Sequence, residues 1–307
     1  MTERVGQVPE CLQLTIAGIR FDLSWEGARL EDEPSLTFYL GFLSNGDRGS
    51  RAAQIEVRLR VHCGELPEVK PEALIFDARS NLWRLFRLNG QYVMEFFDTK
   101  PPHPRIQLAV MTPDFSQGEV FRRPDKTVPE PSWSLTYLMR PFGELVLINL
   151  LSQGRGVLLH ALGVSDRGEG LLFVGRSGSG KTTLADLYKP HQDVTILGDE
   201  RVVVTKADGQ FWLSGTPWPG EGFTVSADTV PLRKVFFLEH ATQNVLLSDR
   251  LINLHGLFFQ QLFLPVWNGK ALAFALEFGE ELLSRLPVHR LAFVNDSRVI
   301  EFLRNQT

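Results

Sequence analysis

The chain has 307 residues, 43% hydrophobic and 22% charged, enough for one large or two ordinary globular domains. A net charge of -4 supplies no global pull toward nucleic acid or an anionic membrane surface, so neither is expected as a partner. The two cysteines, Cys11 and Cys63, have neither metal-ligand spacing nor a disulfide framework, and Met1-Thr-Glu-Arg-Val5 carries no apolar signal region. No segment approaches the roughly 20 apolar residues of a bilayer span. With the nucleotide motif below, these features set the expectation of a cytoplasmic protein.

Residues 12 to about 122 alternate between apolar and polar side chains. Ile19, Phe21, Leu23 and Trp25 fall on every second position, as do Ile55, Val57, Leu59 and Val61, and again Ile106, Leu108 and Val110. That period of two belongs to half-buried strands with one wet face. Asn89-Gly90, between two apolar runs, is a two-residue hairpin signal. An antiparallel sheet domain is expected here. Arg58, Arg60, Arg84 and Arg87 interleave with the apolar set and fit either a basic binding face or an ordinary solvated sheet face. Proline-rich stretches follow, and Pro124 through Pro131 has linker composition. The expected division is a β-rich domain over 1–130 and a second domain over 131–307.

In the second domain, Pro141-Phe-Gly-Glu-Leu145 opens a helical pattern with Leu145, Ile148 and Leu151 on one face and Gly154 past its end. Val157–Gly163 then reads as a strand. The short polar turn Asp166–Gly170 returns the chain as Leu171-Leu-Phe-Val174, so the two strands are expected to be antiparallel neighbours. The stretch that follows organises the rest of the chain. Gly175, Arg176, Ser177, Gly178, Ser179, Gly180, Lys181, Thr182 and Thr183 satisfy G-x-x-x-x-G-K-[ST] without mismatch, between an apolar strand and a helix-forming run. Four fixed positions of this kind arise by chance in roughly one chain in a hundred of this length. Glycines let successive backbone N–H groups turn inward on a phosphate, and the first helical turn adds unpaired N–H groups and the positive dipole end. Lys181 is placed to reach the outer phosphates, and the Thr182 hydroxyl to ligate Mg²⁺.

Lys189-Pro190 ends that helix. Val194–Leu197 is the next strand, with Asp199 and Glu200 at its C-terminal end before Arg201–Val204. Carboxylates there suit two tasks, a Mg²⁺ contact and acceptance of a hydroxyl proton. Ala207-Asp-Gly209 turns a hairpin. Gly215-Thr-Pro-Trp-Pro-Gly-Glu-Gly222 is an irregular loop carrying Glu221, which stands either near the metal or as plain turn chemistry. Leu232–Glu239 reads as a strand, and helical patterns follow over Ser248–Leu264 and about 270–286. A strand over Pro287–Val294 and a short helix over Ser297–Asn305 end the chain.

The run Gly156–Gly163, the hairpin, Gly175–Thr183 and Leu197-Gly-Asp-Glu200 together resemble the HPr kinase/phosphorylase fold, and more closely the HPr-kinase-related P-loop kinases of bacteria. That fold is itself similar to the nucleotide half of phosphoenolpyruvate carboxykinases. The resemblance covers roughly residues 135 to 300. It implies an α/β domain with a mixed sheet, ATP on Gly175–Thr183, and Mg²⁺ on Thr182 with an acid. It further implies Asp199 and Glu200 in the places of the family's two aspartates, and His160 near the γ-phosphate or acceptor; a buried structural histidine is the other reading of His160. The family's C-terminal signature for phosphorolysis and for gripping HPr has no match here, so HPr is not the implied substrate. The HPr kinases are hexamers, which makes a homo-oligomer an implied state.

The expectation is therefore an ATP- and Mg²⁺-dependent kinase with catalytic residues Lys181, Asp199, Glu200 and His160. Thr182, Asp199, Glu200 and Glu221 are the candidate metal ligands, and the acceptor is an unidentified hydroxyl on a protein, peptide or small molecule. Arg140, Arg155, Arg176 and Arg201 are candidates for a charge-neutralising arginine. The rival is a P-loop ATPase, or a nucleotide-dependent switch or binding module with no phosphoryl acceptor.

Overall fold

A computed structural model describes residues 11–43, 55–70, 72–78, 82–124, 131–247 and 251–306. The protein is a mixed α/β structure built mainly of strands in large mixed sheets. Its contacts divide it into Met1–Val146 and Leu147–Thr307. Residues 125–130, where the linker composition lies, fall outside the described set.

The first unit holds β1 (Cys11–Ile16), β2 (Ile19–Trp25), β3 (Arg29–Leu30), β4 (Ile55–Cys63), β5 (Ala73–Ala78), β6 (Trp83–Leu88), β7 (Gln91–Phe97), β8 (Arg105–Met111), β9 (Gln117–Arg122) and β10 (Ser132–Trp133). Eight of them form one sheet in the order β1-β2-β4-β9-β8-β7-β6-β5, while β3 and β10 pair separately. Ile19, Phe21, Leu23 and Trp25 are buried, with polar residues between them, as the alternation requires. The Asn89-Gly90 turn joins β6 to β7 with both residues at positive φ, the geometry of a primed turn.

Two features depart from the expectation. The sheet is mixed, because β4 runs parallel to both β2 and β9. In β8, Gln107, Leu108, Ala109 and Met111 are all buried, so the centre of the sheet is covered on both faces. Arg58 pairs with Glu56 at 2.8 Å, Arg60 with Glu26 at 3.0 Å and Arg84 with Asp77 at 3.4 Å, and Arg87 stacks on Tyr92. Each of these arginines thus has a local acid or ring partner.

Two helices follow, α1 (Leu135–Met139) and α2 (Phe142–Leu151). A one-sided helix is expected at α2, yet Phe142 and the five leucine, isoleucine and valine residues Leu145–Ile148 and Leu150 are all buried, as is Leu151, so α2 is enclosed all round.

The second unit contains β11 (Gly156–Asp166), β12 (Glu169–Val174), α3 (Lys181–Tyr188), β13 (Val194–Gly198), β14 (Arg201–Ala207), β15 (Gln210–Gly215), β16 (Thr229–His240), β17 (Val245–Leu247), α4 (Leu251–Phe259), α5 (Gly269–Arg285), β18 (Val288–Phe293) and α6 (Arg298–Arg304). β11 and β12 are antiparallel neighbours, as the short turn predicts. β12, β16 and β18 run parallel to one another. β11, β14, β15, β16 and β12 also close a circuit of five paired strands, because the long strands β11 and β16 change partners along their length.

Helices cover both faces of this sheet. Leu172, Val174, Val235 and Phe237 pack with Leu254, Phe258, Phe278 and Leu282 from α4 and α5. Their sequence neighbours Phe173, Phe236 and Leu238 pack on the other side with Leu184, Tyr188, Val299 and Leu303 from α3 and α6. Strands buried on both faces read as continuous apolar runs, which is why Leu171–Val174 shows no alternation.

α5 begins at Asn268, whose side chain accepts from the N–H groups of Lys270 and Ala271. The helical pattern expected to reach Leu264 stops at Phe259 instead. Past that point the backbone pairs with β11: His160 N–H donates to Gln261 O at 2.8 Å, and Phe263 N–H to Leu158 O at 3.0 Å. The proposed cap at Ser248-Asp249 lies outside the described residues.

Candidate functional site

The glycine loop sits at the carboxyl end of β12, beside the carboxyl ends of β16 and β18, where parallel sheets characteristically present ligands. Gly178 and Gly180 have φ of +79° and +97°, which permit the reversals of the loop. Nothing lies within 4 Å of where a Cβ on Gly178 would stand. A Cβ on Gly175 would meet Ser179 Oγ at 2.2 Å, so the first glycine is fixed by the closeness of the loop to itself. Ser179 N–H closes the loop on Arg176 O at 3.1 Å, and its buried Oγ has no hydrogen-bond partner among the described residues.

Lys181 is the first residue of α3. Its Nζ donates to Gly175 O at 2.7 Å and to Arg176 O at 3.3 Å. Burial pushes this ammonium below the usual lysine range, and the negative charge of Glu200 works against that shift. Thr182 and Thr183 follow in the first helical turn, with Thr182 exposed.

The two acids occupy the turn between β13 and β14. β13 pairs with the second half of β11 and β14 with the first half, so the turn faces the middle of β11. There Ala161 N–H donates to Glu200 O at 3.1 Å. On the other side of β11, Ala161 is the register partner of Val174, the last residue before the glycine loop. The acids and the loop therefore flank one strand, two strand spacings or roughly 10 Å apart in backbone terms.

The acids are held differently. Asp199 is buried, and its two carboxylate oxygens accept from Gly220 N–H at 2.9 Å and Gly222 N–H at 2.6 Å. A Cβ on Gly222 would come within 2.5 Å of that carboxylate, so the loop needs glycine there to close on it. Glu200 is partly exposed and pairs with Arg201 at 2.6 Å. Arg201 also lies over the Phe263 ring. His160, the register partner of Arg201, is half-buried. Burial first, and then the charge of Lys181, lower its ring below the ordinary histidine value, while Glu200 opposes them.

His160, Lys181, Glu200 and Arg201 thus share one electrostatic neighbourhood. Other expected residues stand elsewhere. Glu221 is exposed between the two glycines that clasp Asp199. Among the described residues no three His, Cys, Asp or Glu side chains gather into a metal-holding group, so Glu221 does not complete one with the acid pair. Arg155 donates to Leu150 O and Gln153 O, which ties off the end of α2. Arg140 pairs with Glu144 at 3.3 Å in the first unit. Arg176 is exposed on the glycine loop itself.

Sequence reasoning missed the far side of the loop. A cleft of about 590 Å³ is lined by Gly175–Ser179, the end of β16 from Phe237 to His240, Arg290, and Leu254, Leu257 and Gln261. Arg290 pairs with Glu239 at 2.5 Å within it. The signal available in the sequence was limited to two unbroken apolar runs, Leu171–Val174 in β12 and Val235–Leu238 in β16, which mark strands buried on both faces.

Among solved structures the chain is similar to the Hpr(Ser) kinase/phosphatase from Coxiella burnetii. The likeness has 16% identity, covers 31% of this chain and 66% of that one, and has a TM-score of 0.23. A likeness of that size carries no argument about fold or chemistry. No family model and no curated protein matches the chain.

The residues fit a polyphosphate on their own terms. The loop offers open space where a Gly178 Cβ would stand, a buried hydroxyl at Ser179 with no partner among the described residues, and an ammonium at Lys181 that donates to loop carbonyls. They also fit Mg²⁺ rather than an all-protein cage. Thr182 and a carboxylate are few ligands, and Mg²⁺ characteristically completes its shell with phosphate oxygens and water.

Proposed function

We propose that the chain is an ATP-dependent phosphotransferase that moves the γ-phosphoryl group to a hydroxyl acceptor. The observation that carries this reading is that the glycine loop leading into Lys181 and the turn bearing Glu200 flank β11, with the Glu200 charge acting on Lys181. A cation beside the glycine loop and a carboxylate one strand away are the two charges that phosphoryl transfer to an alcohol requires. Lys181 exchanges the carbonyls of Gly175 and Arg176 for phosphate oxygens, and the loop amides neutralise the rest of the group. Bound Mg²⁺, held by Thr182 and a carboxylate, would supply further charge neutralisation.

Glu200 is the group assigned to take the acceptor proton. Asp199 has both oxygens committed to backbone N–H groups, whereas Glu200 is partly exposed and faces the Lys181 and His160 neighbourhood. His160, whose charged form is disfavoured by burial and by Lys181, is suited to form one hydrogen bond with the acceptor.

Two measurements test the proposal. Titration with a fluorescent ADP analogue and Mg²⁺ is expected to show binding that Lys181→Ala abolishes. Incubation with γ-labelled ATP and a fractionated lysate is expected to give an acid-stable phosphate ester. Glu200→Gln should slow its formation by about 100-fold or more while binding nucleotide as before. A protein that binds no nucleotide, or that consumes ATP equally with and without acceptor fractions, overturns the kinase reading; the second result establishes the ATPase.

A further inference from the structure

We propose that His240 is a positioning residue for the phosphate loop, its Nε2–H fixing the orientation of the Gly178–Ser179 peptide. The inference rests on the nucleotide reading above and adds to it a residue some 60 positions away in sequence.

His240 is the last residue of β16 and the register partner of Phe293, the last residue of β18. The two rings stack with centroids 6.0 Å apart and planes at 27°. Nε2 lies 2.7 Å from Gly178 O. A carbonyl oxygen only accepts, so Nε2 carries the proton in this contact. The same pair of rings fills the space beside Gly180: a Cβ there would meet Phe293 Cζ at 2.7 Å and His240 Cε1 at 3.2 Å. The loop is therefore seated on the two rings at its helix end and tied to one of them at its crest.

The tie matters because of what surrounds it. Gly178 has no Cβ and a φ of +79°, so the residue itself puts little steric restraint on the turning of its peptide. The following peptide group is fixed at both ends by hydrogen bonds instead, its C=O on His240 and its N–H on Arg176 O. Turned over, the Gly178 carbonyl would point toward the phosphates and repel them. Held as it is, the oxygen faces β16, and the nucleotide meets a loop that has already lost that freedom.

The test uses the full chain and a fluorescent ADP analogue with Mg²⁺, with melting temperature measured alongside. His240→Gln and His240→Met have similar length and flexibility, but only glutamine keeps an N–H near the Nε2 position. The methionine variant is expected to bind about five- to tenfold more weakly, the worth of one hydrogen bond, with an unchanged melting temperature. The glutamine variant should bind within about twofold of the unaltered protein, while His240→Phe, which keeps the ring stack, should follow methionine. A methionine variant that binds as well as the unaltered protein overturns the proposal. So does a glutamine variant that binds as poorly as methionine, which would leave packing as the only role of His240. Failure of the unaltered protein to bind nucleotide is a separate outcome: it removes the nucleotide reading, and this proposal with it.

Discussion

Replacing Asp199 with asparagine changes one atom of a buried carboxylate, yet the structure makes it a severe change. Both oxygens accept backbone N–H groups, from Gly220 at 2.9 Å and Gly222 at 2.6 Å. An asparagine has one oxygen and one NH₂, so one of the two glycine N–H groups must face another donor. The loss of one hydrogen bond to a charged group costs about 1.5–3 kcal/mol, and a buried donor left facing a donor adds about 1–3 kcal/mol, giving about 3 kcal/mol or more in the closed loop. If the 215–222 loop opens, the cost is limited to the free energy of that local opening. Urea unfolding and hydrogen exchange over residues 216–224 together read both routes. Asp199→Asn is expected to lower stability, or to expose the Gly220 and Gly222 amides to exchange, or both. Glu200→Gln, at a partly exposed pair with Arg201, should cost no more than about 1 kcal/mol and leave those amides protected. An asparagine variant within about 0.5 kcal/mol of the unaltered protein, with unchanged exchange, would refute the clasp. Under the proposed function the pair therefore makes an unequal test: slowed transfer in Asp199→Asn would report on the loop, and slowed transfer in Glu200→Gln on the chemistry.

Three further outcomes follow from charges in the second unit. Because burial lowers the Lys181 pKa from its ordinary 10.5, its ammonium loses its proton earlier on the alkaline side than a surface lysine does. Nucleotide affinity should begin to fall before pH reaches 10.5; a profile that stays flat up to that value would contradict this, and Lys181→Arg should remove the fall. Arg304 grips the buried Asp166 at 3.0 and 2.7 Å and reaches Asp193 at 2.8 Å, so Arg304→Ala leaves a buried carboxylate without its partner and should cost about 3 kcal/mol in urea unfolding. Asp193 is pulled down to about 2, chiefly by Arg167 and then by Arg304. Its folded value lies below its ordinary 3.8, so its contribution is present above that pH and is lost as pH falls through 2. Arg167→Ala should flatten the dependence of melting temperature on pH across that window, and an unchanged acid limb would count against the pairing.

What the sequence disclosed was local. Asn89-Gly90, Asp208-Gly209 and the Gly175–Thr183 run each fix backbone geometry within a few residues, and each stands where it was expected. The Gly215–Gly222 loop was recognisable as one that holds something, but not what it holds. The acid it carries, Glu221, is at the surface, and the acid it clasps, Asp199, lies in another turn. Alternation identified the strands of the first unit without revealing that β4 runs parallel to its two neighbours, because side-chain period is the same for either direction. His240 escaped notice for a related reason: only the joint ending of β16 and β18 beside β12 brings it to the loop, and no short window of sequence contains that fact.

One property of β11 has a mechanical meaning. Its eleven residues carry the acid turn along one edge and the last residue before the glycine loop along the other, and both attach at Ala161. A hinge that drew the acids toward the loop would have to break this strand at its midpoint, where it is paired on both sides. The backbone distance between the acid turn and the glycine loop is thus welded in, and under the proposed function any closing movement would have to be made by the covering elements while this frame stays still.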